Sequence, residues 1–332
     1  MTTSTPATPR RQLTRRELVH GAAGLAAAVA LPAFVQTDKS IRFILPNATG
    51  SGVDAITRAA QAAMAKALGY PVIVDNQPGA GGIVGLQALA RSPADGFNLG
   101  VVSNNVVIFP SVYKSLPFDM PGDFTPIAVV GYTPVVLVVN AKVPANNSKE
   151  FIALLKAKNG DMTYASGGNG TILHLASAMF LDEAGVTARH IPYKGVGPMI
   201  TDLIGGQVDF ATAALPSVQA HLKSGALRAI GMATAQRVPA AAEIPTFVEQ
   251  GLPNYVVEAW FAVIGPKGLP AADVQHVHAA VVAAFADPAV KEAMAKQGNI
   301  INVGPADKAL PFFRGEMARY AQLVKKAGVE LQ

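Results

Sequence analysis

At 332 residues, half of them hydrophobic and only 15% charged, the chain can bury a large core and is long enough for two lobes. It has no cysteine, which excludes a disulfide framework, a Cys-ligated metal or cluster, and lipid anchoring through a thiol. The net charge of +5 suggests acidic partners, but Met1–Gln36 holds four Arg and one Glu of the 27 basic and 22 acidic residues; the remainder stands at +2, and the case for nucleic-acid binding lapses.

Thr14-Arg15-Arg16-Glu17-Leu18 is a twin-arginine sequence, preceded by Arg10 and Arg11 and followed by the apolar run Gly21–Leu31. A basic start, a short apolar stretch and small residues make an export signal over residues 1–36, which would place the mature chain in the periplasm. The apolar run is too short to span a bilayer. Ile41–Leu45 then reads as a strand ending at Pro46, Asn47–Asp54 as a loop rich in small residues, and Ala55–Leu68 as an alanine-rich helix. Pro71–Asp75 is the next strand, Pro78–Gly82 a loop, Ile83–Ala90 a helix, and Gly96–Val102 a third strand ending in Ser103-Asn104-Asn105. Strands alternating with helices predict a mostly parallel sheet whose ligands sit beyond the carboxyl ends of its strands.

Val135–Val139 is a buried strand, and Lys149–Lys158 a helix. Thr163–Ala178, TYASGGNGTILHLASA, changes character three times: a strand end at Ala165, a loop at Ser166–Gly170, and a helix from Thr171. A helix N-terminus leaves N–H groups unpaired and carries partial positive charge, so a glycine loop leading into it is a seat for a carboxylate or phosphate. One such loop can equally be a turn that binds nothing; Asn47–Asp54 is a second. Arg189–Tyr193 is a strand, Met199–Ile204 a helix, Gln207–Thr212 a strand and Ala259–Ile264 another, after which only helices are expected: Ala271–Ala286, Pro288–Gln297 and Pro311–Ala327. The expected fold is α/β with two lobes: residues 38–139 with 258–332, and residues 140–257. Strands near Val135–Asn140 and Ala259–Ile264 would join them, and the two glycine loops would face each other across a closing cleft.

Competing chemistries fail on spacing. Gly79-x-Gly81 meets Val84 where a dinucleotide fingerprint needs glycine, and no GxxxxGK[ST] occurs. No GxSxG is present, since Thr49 and Tyr164 stand two residues before Ser51 and Ser166. Ser166, His174 and Asp54 could form a triad only with a histidine more than a turn into its helix. His276 and His278 point to different helix faces, against a metal site. No metal or cofactor is expected. Asp54 would repel an anion and reads as a loop-ordering residue of the helix's first turn. Trp260, the single tryptophan, is either core packing or a cleft wall.

Six motifs occur in order: Pro46-x-Ala48-x-Gly50-x-x-x-Asp54, Val74–Gly82 (VDNQPGAGG), Pro93–Phe97 (PADGF), Tyr164–Leu175 (YASGGNGTILHL), Ile191–Gly195 (IPYKG) and Gly205–Asp209 (GGQVD). Together, from about Ile41 to the C-terminus, they resemble the Bug-type extracytoplasmic receptors, the substrate-binding proteins of tripartite tricarboxylate transporters. The resemblance implies a monomeric type II periplasmic binding protein. It would capture a di- or tricarboxylate, amino acid or aromatic acid and hand it to membrane transporter subunits. It also implies ligand contacts at Ala48, Thr49, Gly50 and Ser51, at Ser103 and Asn104, and at Ser166, Gly168, Asn169, Thr171 and His174. Family members commonly carry Phe-Pro where this chain has Asn47-Ala48, often Gly-Gly at Gly50-Ser51, and an acidic residue near Ala213. Two other functions fit the same residues: a periplasmic hydrolase using Ser166 or Ser51, and a ligand-sensing subunit of a signalling system.

Overall fold

The first strand, β1 (Ile41–Leu45), buries every residue but Arg42, and the chain then turns into helix α1 (Gly52–Leu68). Ser51 caps that helix by accepting from the Asp54 N–H, and Gly69 ends it in the left-handed conformation. Val53, Ile56, Ala60, Met64 and Leu68 recur at helical spacing and bury one face against Phe43, Val72 and Leu99 of the sheet. The computed structural model describes residues 39–329 and 331–332, and residues 39–332 pack as one compact unit. The expected leader, 1–36, lies outside the described residues.

Strand β2 (Val72–Asn76), helix α2 (Ile83–Ala90), strand β3 (Asn98–Ser103), the one-turn helix α3 (Asn105–Ile108) and strand β4 (Phe124–Thr133) follow. After Pro134 come β5 (Val135–Asn140), α4 (Ser148–Lys158), β6 (Thr163–Ser166), α5 (Ile172–Ala184), β7 (Arg189–Pro192), α6 (Val196–Gly205), β8 (Phe210–Ala214), α7 (Leu215–Lys223) and β9 (Leu227–Met232). The chain ends with β10 (Ala259–Pro266), α8 (Ala271–Ala286), α9 (Pro288–Gln297), β11 (Ile300–Ile301) and α10 (Ala306–Lys326).

These strands form two sheets, in the orders β11-β4-β10-β3-β1-β2 and β7-β6-β8-β5-β9. Each is mixed, which corrects the mostly parallel expectation. In the first, β1 pairs in parallel with β2 and β3, while β10 runs antiparallel to β3 and β4. In the second, β6 pairs in parallel with β7 and β8, while β5 runs antiparallel to β8 and β9. Each sheet therefore repeats one device, three parallel strands whose carboxyl ends feed helices, closed on one side by antiparallel strands. The unbroken run of β5 is buried throughout, because helices or chain cover both of its faces.

The expected linker strands prove to be strands of one sheet each: β5 pairs only with β8 and β9, and β10 only with β3 and β4. The chain crosses between sheets at Pro134 and again over residues 233–258, and the crossings are tied by bonds from Ala233 N to Val135 O (2.8 Å) and from Val257 N to Ala233 O (2.8 Å). The tail is not helices only, since β11 adds to β4. Its last helix starts at Ala306 and runs through Pro311.

Candidate functional site

The helices after β1, β6, β7 and β8 begin around one cavity of ≈ 760 Å³, its open mouth included. Ser51, Gly52 and Val53 of α1, Thr171, Ile172 and Leu173 of α5, Gly195 and Val196 of α6, and Ala214 and Ser217 of α7 all stand on its wall. The first N–H groups of a helix have no acceptor within it. At α1, Ser51 Oγ takes the N–H of Asp54 (3.2 Å), which leaves those of Gly52 and Val53. At α5, Thr171 Oγ1 takes that of His174 (3.3 Å) and Asn105 Oδ1 that of Ile172 (2.8 Å), which leaves Leu173. Gly195 and Ala214 provide no side-chain cap. Four positive helix ends thus converge, and among the described residues no Asp, Glu, Lys, Arg or His lines the cavity. The rest of the wall mixes the polar Asn47, Ser103, Asn105 and Thr133 with glycines and the apolar Pro46, Ala48, Val135, Ala259, Trp260 and Phe261.

The loop Asn47–Asp54 is held from behind. Asp54, buried beneath it, accepts from Gly50 N (2.9 Å), Arg58 Nε (2.9 Å) and Asn76 Nδ2 (2.9 Å), and Asn76 Nδ2 also reaches Asn47 O (3.1 Å). Across the cavity this loop meets the starts of α6 and α7, while Gly167 and Thr171 of the loop Ser166–Thr171 stand on the same wall. A Cβ placed on Gly195 (φ +119°) would stand 2.9 Å from Ala48 Cβ, and one on Gly52 2.8 Å from Ala214 Cβ. The loop Ser166–Thr171 instead packs on the glycine turn of residues 79–82, where a Cβ on Gly168 would stand 2.9 Å from Gly81 Cα.

Of the residues singled out in the sequence, Ala48, Ser51, Ser103, Thr171 and Trp260 line the cavity. Thr49, Gly50, Asn104, Ser166, Gly168, Asn169 and His174 do not. Thr49 and Gly50 are exposed. Asn104 is fully buried: Nδ2 donates to Glu258 O (3.0 Å) and Tyr320 Oη (2.5 Å), and Oδ1 accepts from Trp260 N (2.8 Å), so it ties β3 to β10 and α10. Its neighbour Asn105 faces the cavity instead. Asn169 O accepts from Tyr113 Oη (3.0 Å). Trp260 stands on the cavity wall while Nε1 donates to Glu316 Oε2 (2.8 Å), and Phe312 and Phe313 pack on its ring.

Ser166, His174 and Asp54 do not assemble as a triad. Ser166 Oγ meets His190 Nε2 (2.7 Å), while His174 Nδ1 accepts from Gly170 N (3.2 Å) and Asp54 is engaged with Arg58. The two imidazoles stack at 3.9 Å with Tyr164 beside them. Burial pushes His174 down to about 4; burial, then the neighbouring His174, pushes His190 down to about 3. Both rings are neutral struts under the loop. Among the described residues, no group of three or more His, Asp or Glu could hold a metal ion.

Sequence reading missed Asn105, Thr133, Ser217 and Gly195 as wall residues. The signal for Ser217 was present in Ala214-Leu215-Pro216-Ser217, where proline in a first turn follows a strand.

Residues 56–329 match the family model described as "Tripartite tricarboxylate transporter family receptor". The chain is 33% identical over 312 residues to Protein BugT of Bordetella pertussis, which covers 93% of this chain and 95% of the relative. Among solved structures it is similar to the periplasmic binding protein BugD (TM-score 0.85, 30% identity, 89% of this chain and 99% of that one). It is also similar to Rpa4515 of R. palustris with adipate (TM-score 0.85, 26% identity, 90% and 100%).

Proposed function

The chain belongs to the tripartite tricarboxylate transporter receptor family, and from that premise we propose that it is a periplasmic receptor exported through its twin-arginine leader. It captures a small carboxylate by closing a cleft between two lobes, residues 38–139 with 258–332 and residues 140–257, and delivers it as a monomer to membrane transporter subunits. The family is one of substrate-binding receptors, not enzymes. The observation that carries the reading is the cavity where four helix N-termini converge without a charged side chain. Backbone N–H groups of Gly52, Val53 and Leu173, with the hydroxyls of Ser51 and Ser103, would hold the carboxylate through neutral donors. Such a seat needs no buried arginine and fits a mature chain close to neutral. The bound adipate of Rpa4515 supports the same class of ligand.

Titration calorimetry against mono-, di- and tricarboxylates, amino acids and aromatic acids tests the reading, with emission of the single, buried Trp260 as a second readout. Saturable binding with unaltered ligand recovered afterwards is expected. A panel that gives neither heat nor a thermal shift overturns it.

A further inference from the structure

Three buried side-chain atoms among the described residues have no hydrogen-bond partner: Asn47 Oδ1, Ser217 Oγ and Tyr255 Oη. Two of them, Asn47 and Ser217, stand on the wall of the cavity described above, and Tyr255 lines a different one. Of the other polar side chains of the wall, all but Ser103, which the reading above gives to the carboxylate, have bonds within the fold. Thr171 Oγ1 donates to Gly168 O (2.9 Å), Thr133 Oγ1 donates to Asn299 Oδ1 (2.8 Å), Asn105 Oδ1 accepts from Ile172 N, and Ser51 Oγ caps α1. A buried polar atom without a partner is costly, so two on one cavity point to groups supplied from inside it.

The chemistry of those groups follows from what the two side chains offer. An amide presents an acceptor and a donor from one end, a hydroxyl presents both from one atom, and the inward atom of an amide is a matter of assignment. The complement that satisfies them in either orientation both donates and accepts. A carboxylate oxygen only accepts, a methylene does neither, and an ammonium would sit unpaired among helix N-termini in a cavity without a carboxylate. Resting on the carboxylate reading, we infer that the ligand is a small acid carrying a second, uncharged hydroxyl or amide group that pairs with Asn47 and Ser217. Its remaining carbons lie against Pro46, Val53, Ile172 and Trp260. Hydroxy acids are thereby selected over their amino and unsubstituted analogues.

Matched triads that differ in one substituent test this: lactate, alanine and propionate; malate, aspartate and succinate; 4-hydroxybenzoate, 4-aminomethylbenzoate and benzoate. In the triad that binds best, the hydroxy acid should bind at least about 10-fold more tightly than both analogues. Asn47→Leu and Ser217→Ala should each shrink that preference, and the double variant should bring it within about 2-fold. Asn47 holds Asn76 through its main-chain oxygen, so the leucine variant keeps that bond; Ser217→Ala removes a hydroxyl without a partner. Equal affinity for hydroxy and unsubstituted acids, or a preference that survives the double variant, overturns the inference and leaves the carboxylate reading standing. No binding by any acid overturns both.

Discussion

Replacing Gly52 with alanine asks whether the two walls of the cavity must meet to hold a ligand. Gly52 is the first residue of α1 and has no left-handed φ, so alanine costs no backbone strain and is the better helix former, by up to about 1 kcal/mol. The added methyl would stand 2.8 Å from Ala214 Cβ and 3.7 Å from Thr133 Cγ2, where ordinary contact begins at 3.4 Å. The walls must therefore part by about 0.6 Å, and Ala214 is a main-chain-bound methyl at the start of α7 that cannot swing away. Overpacking of this kind costs roughly 1–3 kcal/mol, which is a loss of affinity of about 5- to 150-fold if closure and binding are one event. Calorimetry with the tightest-binding acid should show that loss, while the melting temperature of the unliganded protein stays within about 2 °C. The double variant Gly52→Ala with Ala214→Gly restores the space and should recover most of the affinity. Wild-type affinity in the single variant, or a loss of unliganded stability as large as the loss of binding, would refute hinged closure onto this contact.

Thr171→Asp keeps a good helix cap but brings a negative charge to the cavity wall; stability should hold while anion affinity falls about 10-fold by calorimetry, and an unchanged affinity would move the anion seat away from α5. Asp54→Asn leaves at least one of the donors Gly50 N, Arg58 Nε and Asn76 Nδ2 facing an amide N–H, and should cost about 1–3 kcal/mol in urea unfolding. A change below about 0.5 kcal/mol would remove Asp54 from its loop-ordering role. His174 and His190 are held near 4 and 3 in the fold against about 6.5 in the unfolded chain, so between those values the unfolded state binds more protons. Their contribution to stability is whole above about pH 6.5 and is lost as pH falls toward 4, by roughly 3 kcal/mol for His174 alone. Urea midpoints from pH 7 to pH 4.5 should fall more steeply in the wild type than in His190→Gln, and parallel curves would contradict the buried neutral pair.

How much of this was legible beforehand depended on the range of the force that decided it. Strands β1, β2, β3, β6 and β7 and helices α1, α5 and α8 announce themselves locally, through apolar runs, glycine stops and caps such as Ser51 and Thr171, because a helix or a half-buried strand is decided by neighbours a few residues away. The ordered motifs from Pro46 to Asp209 carried the family in the same local way. Strands β4 and β9 were not legible, since Pro126 and the sparse apolar pattern of Leu227–Met232 make sense only beside β10 and β5. Nor could sequence choose between Asn104 and Asn105. Adjacent residues point to different sides, and only the packing of Tyr320 and Glu258 against β3 assigns one to the interior and the other to the cavity. The same holds for the partner of the loop Asn47–Asp54. Chain order made a glycine loop at each strand end, but which two ends touch depends on how the sheets pack, and that placed Ala48 against Gly195 and Gly52 against Ala214. Sequence determined that helix ends with bare N–H groups would exist; the tertiary structure decided that four of them share one cavity and that Asn47 and Ser217 stand there without partners, because convergence and burial belong to contacts between residues far apart in the chain.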